Sequence, residues 1–114
     1  MTAQEKVSLI TEVVDDMKGE HIETLDVREK TSIADYFVVC SANNDRQLSA
    51  IADRVSEKMR EQKERALRTE GDGSGWILQD FGDVILHIMR DEQRQFFDLE
   101  TLWKTMQTDT GQNP

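Results

Sequence analysis

Tyr36, Phe37, Val38, Val39 and Cys40 form an unbroken apolar run. A strand with one wet face alternates apolar and polar residues, so a continuous run predicts a strand covered on both faces, placed centrally in a sheet. The flanking patterns supply the cover. Upstream, Val7, Ile10, Val14 and Met17 recur at helical spacing and Gly19 follows as a stop, which predicts an amphipathic helix over Thr2–Lys18. Downstream, Leu48, Ile51, Ala52, Val55 and Met59 share one helical face, after a cap supplied by Asn43, Asn44 or Asp45. The segment HIETLDV, with Leu25 and Val27 alternating against Asp26, predicts a strand with one face buried.

Beyond the second helix, RALRT suits a short edge strand, and EGDGSG is a turn-rich loop. Trp76–Gln79 and Val84–Met89 read as two strands joined by a tight turn around Phe81 and Gly82. DEQRQFFDLETLW predicts a short helix and a last turn that lay Phe96, Leu99, Leu102 and Trp103 back on the domain. The expected class is α/β or α+β, a mixed β-sheet with packed helices. Residues 1–104 are expected to form the domain, and the polar segment 105–114 to be a flexible tail that frays.

Size and charge bound the function. A chain of 114 residues is one ordinary domain, which buries roughly 65% of its unfolded surface around a single core. The formal net charge of -9 repels phosphate backbones, speaks against direct nucleic-acid binding and favours a basic partner. Cys40 is the single cysteine, so an internal disulfide is impossible and a four-ligand zinc site is disfavoured. Apolar runs fall well short of the roughly 20 residues a bilayer span needs, and the N-terminus lacks signal-peptide character. A cytoplasmic protein is expected.

Candidate chemistry is sparse. EGDGSGW resembles a phosphate-cradling loop but lacks the Gly-Lys-Ser/Thr ending of a nucleotide loop, and a strand follows it, so an ordinary connection is favoured. Asp80 and Asp83 suit a hard divalent cation only if Asp72 or Asp91 joins them by folding, and solvated turn carboxylates are the preferred reading. Cys40 and His87 sit inside apolar strands without a nucleophile motif, which favours structural roles. Ser32, Ser41 and Ser74 lack the Gly-x-Ser-x-Gly elbow. Neither a catalytic site, a metal site nor a cofactor is therefore expected.

An aromatic set with an acidic surround remains. Trp76 opens a strand, Phe81 occupies a turn, and Phe96 and Phe97 are adjacent on a short helix. Phe81 either folds back onto the core or is an exposed contact. With Asp80, Asp83, Asp91 and Glu92 nearby, such a patch suits a basic protein surface, with aromatic anchors for affinity and carboxylates for steering.

TSIADYFVVCS, GWILQDFGDVILHIM and FFDLETLW, in this order and spacing, resemble the ribosomal silencing factor family, also called the Iojap-related family. The resemblance runs from about Val7 to Trp103. It departs at Phe81, where the family more often carries leucine, and at Phe97, where it more often carries tyrosine. The resemblance implies a fold similar to nucleotidyltransferases without their catalytic carboxylates and nucleotide-gripping motif. It also implies a translational repressor that binds ribosomal protein fourteen of the large subunit and blocks joining with the small subunit when nutrients are scarce. On that reading Asp80 and Asp83 flank a docking turn, Phe81 is its apolar tip, and Trp76 and Phe97 are neighbouring anchors. Self-association into a homodimer is implied as well. The alternatives from other classes are a residual nucleotidyltransferase-like or phosphohydrolase enzyme and a purely structural homodimer.

Overall fold

The structure, a computed structural model, describes residues 1–71 and 73–96. Helix α1 (Ala3–Asp16) opens with a reciprocal cap: the Thr2 hydroxyl accepts from the Glu5 amide, and the Glu5 carboxylate accepts from the Thr2 amide. Those bonds hold the Glu5 carboxyl below its usual range. The buried stripe is Ala3, Lys6, Ile10, Val13 and Val14, rotated from the expected one so that Val7 and Met17 are only half-buried.

Strands β1 (Glu20–Asp26) and β2 (Tyr36–Ala42), helix α2 (Asp45–Glu61), strands β3 (Arg68–Glu70), β4 (Trp76–Asp80) and β5 (Val84–Arg90), and helix α3 (Asp91–Phe96) follow. The five strands form one mixed sheet in the order β1-β2-β5-β4-β3, in which β2 and β5 run parallel and the other pairs are antiparallel. The apolar run is thus interior as expected, and every residue from Phe37 to Ala42 is buried. Strand β1 differs from expectation: at the sheet edge it exposes most of its length, with Ile22 and Leu25 half-buried. A bulge between Glu20 and Glu23, with His21 at φ 51°, breaks its alternation.

Period-two alternation divides the core. Val38, Cys40, Leu86, Ile88 and Ile77 face α1 and α2, joining Ile10, Val14, Ile51 and Val55 in one cluster. Phe37, Val39, Ile85 and Met89 form a second cluster with Val27 and Ala34, against which Leu25, Trp76 and Leu78 pack. Helix α3 contacts β5 and β2, and its Arg94 guanidinium donates to the His21 carbonyl (2.9 Å) and the Ser41 hydroxyl (3.1 Å). The expectations for the side chains of Phe96, Phe97, Leu99, Leu102 and Trp103, for Asp72 and for the tail 105–114 lie outside the described residues.

Candidate functional site

The turn joining β4 to β5 is small and heavily bonded. The Phe81 amide donates to the Val84 carbonyl (2.9 Å), and the Gly82 amide donates to the Asp80 carboxylate (2.8 Å). Gly82 sits at φ 91°, a backbone conformation that side chains with a Cβ resist. The Asp80 carbonyl accepts from the Leu67 amide (2.7 Å), and its carboxylate lies 3.6 Å from Arg68 Nε. Asp80 therefore folds its acid back over the turn.

Phe81 is buried, at 3% exposure, in the cluster beneath the two helices. The reason is parity. Ile77, Gln79 and Phe81 alternate onto the helix-covered face, where the Gln79 amide donates to the Ala52 carbonyl of α2 (2.9 Å). Of the two alternatives open in the sequence, fold-back onto the core is the one found, and Phe81 is not an exposed apolar tip.

Asp83 is bonded at both ends. Its carbonyl accepts from the amides of Asp35 (2.7 Å) and Tyr36 (3.1 Å), while its carboxylate accepts from the Lys6 ammonium (2.8 Å). The same ammonium donates to the Phe81 carbonyl (2.9 Å) and lies 3.6 Å from Glu64. Lys6, 7% exposed, is a site residue the sequence reading missed. A lysine set in the apolar stripe between Ala3 and Ile10 was the available signal. The exposed apolar residue at this turn is Leu67, at 74% exposure, whose Cδ1 would lie 4.0 Å from a Cβ placed on Gly82.

Trp76 is half-buried on the opposite face. Its indole N–H donates to His87 Nδ1 (3.2 Å), and the His87 ring packs 4.9 Å from that of Phe37. Burial pushes the His87 imidazole down to about 4 and the Cys40 thiol up to about 12. Neither group is charged near neutrality, as suits structural residues. Nearby, in the EGDGSG loop, the Ser74 hydroxyl donates to the Gly71 carbonyl (2.6 Å). A Cβ on Gly71 would lie 1.8 Å from the Trp76 carbonyl oxygen. Among the described residues, groups of three or more His, Cys, Asp and Glu placed to hold a metal are absent, as are helices long and apolar enough to cross a membrane.

The model of one family, described as ribosomal silencing factor during starvation, matches residues 1–113. This chain belongs to the ribosomal silencing factor family. A ribosomal silencing factor of Halalkalibacterium halodurans is 36% identical over 104 residues, covering 90% of this chain and 89% of that protein. A crystal structure of a Chromobacterium violaceum protein superposes with a TM-score of 0.87 at 34% identity, covering 91% of this chain and 88% of its own. The chloroplastic Iojap protein of Zea mays is similar at 27% identity over 82% of this chain and 41% of that protein. The segment GWILQDFGDVILHIM lies on one hairpin, whose helix-facing side is core and whose turn carries the bonded carboxylates.

Proposed function

We propose that the protein is a cytoplasmic translational repressor that binds the large ribosomal subunit through its ribosomal protein fourteen, on the face that meets the small subunit. Bound there, it excludes the small subunit by volume and lowers translation under nutrient limitation. Catalysis and cofactors play no part. The match to the silencing-factor model over residues 1–113 carries this reading. A net charge of -9 supports a basic protein partner over bare ribosomal RNA.

The docking region in this reading is the β4–β5 hairpin, from the turn at Asp80 and Asp83 to the opposite end, where Trp76 pairs with Met89. Asp83, whose side chain is 37% exposed, and Asp80 supply charge; Trp76 and Phe97 are the aromatic anchors. Phe81 acts from within, shaping the turn by filling the core beneath it, and Leu67 adds the apolar contact that Phe81 does not present. Co-sedimentation with purified large subunits, followed by a joining assay with small subunits, tests the proposal. Saturating protein is expected to travel with large subunits and to abolish assembled ribosomes. Normal subunit joining under those conditions would refute it.

A further inference from the structure

Lys6 is the buried lysine among the described residues, and its position is costly unless every N–H finds an acceptor. The structure provides acceptors from two separate segments: the Phe81 carbonyl and Asp83 carboxylate of the turn, and Glu64 from the chain that follows α2. An ammonium has three donors and no acceptor, so these oxygens match it. One side chain thus ties the first turn of α1 to both flanks of Gly82.

The consequence falls on Asp83. Its backbone is fixed by Asp35 and Tyr36 and one carboxylate oxygen by Lys6, yet its side chain stays 37% exposed. A carboxylate held at one oxygen and open to solvent can meet a cation on a partner without first losing rotamer freedom. Like the docking reading on which it rests, this assigns the turn to the contact surface. We infer that Lys6 is the positioning residue of that turn: it holds the Asp83 carboxylate in the orientation that receives a basic side chain of the large subunit, while remaining buried itself.

A double-mutant cycle on affinity tests the role, using Lys6→Met, Asp83→Asn and the pair, with purified large subunits and at a temperature where melting curves show all proteins folded. Each single variant is expected to weaken binding about tenfold, and the pair hardly further, because both remove the same oriented carboxylate. Affinity of folded Lys6→Met equal to that of the unsubstituted protein overturns the inference. So do losses that multiply in the pair, since Lys6 then acts without Asp83. Should Lys6→Met not fold, Lys6→Gln, whose shorter, uncharged side chain satisfies part of the polar site without the ammonium that holds Asp83, is read by the same criteria. Failure of the unsubstituted protein to bind at all overturns the docking reading itself, a result distinct from binding that ignores Lys6.

Discussion

Phe81 and His87 belong to the same hairpin but serve opposite faces of the sheet, and each yields a measurement. Phe81 fills the helix-side core at the turn. Truncation to Ala leaves a cavity in that cluster, so Phe81→Ala is expected to cost about 3–5 kcal/mol, seen as a large fall in melting temperature. An unchanged melting curve would contradict its place in the core. His87 gives a pH effect whose sign follows from its depressed pKa. The folded value is about 4 against 6.5 for a free imidazole, so between those values the unfolded chain takes up a proton that the native protein refuses. Stability is complete above pH 6.5 and falls as pH drops, by about 3 kcal/mol at pH 4. The Trp76 indole strengthens the refusal, because it donates to the Nδ1 that protonation would occupy. His87→Gln should flatten the stability-against-pH curve between those limits.

At the scale of elements, the junction of α1 and α2 shows how one cap can serve two helices. Asn44 caps α2 by accepting from the Gln47 amide (2.8 Å). The Gln47 side chain then accepts from the Asn43 amide (2.7 Å) and donates to the Lys18 carbonyl just past α1 (2.9 Å). The sequence narrowed the cap to Asn43, Asn44 or Asp45, all able to offer a side-chain oxygen; in the structure Asn44 has the extended backbone of a cap and makes the bond. Asn44→Ala is expected to cost about 1 kcal/mol, measured as a lower urea midpoint with an unchanged denaturant slope.

As a whole molecule the protein acts, on the proposed reading, as a folded body lodged between two surfaces that must otherwise meet. Its charge of -9 acts at longer range than the turn does. Exposed charges are screened beyond about 8 Å at physiological ionic strength. On the proposed reading, raising salt should therefore slow association with large subunits while leaving dissociation nearly unchanged. Stopped-flow binding at several salt concentrations reads both rates, and an association rate indifferent to salt would remove steering from the account.

By itself the sequence determined what is local or periodic: the two long helices, the interior strand announced by Tyr36–Cys40, the hairpin around Gly82, and family membership through motifs spread along the chain. These were legible because apolar spacing reports the period of the backbone. The tertiary structure decided what depends on neighbours distant in sequence. β1 could not be recognised as a mostly exposed edge strand until its single partner was known. Phe81 stood undecided between core and surface until α1 and α2 were seen to cover its face. Lys6 and Asp83 lie 77 positions apart, and pattern along the chain carries no information about which carboxylate will meet a buried ammonium. That pairing is fixed only when the sheet brings the β4–β5 turn against the first turn of α1, where a charge removed from water must find its acceptors.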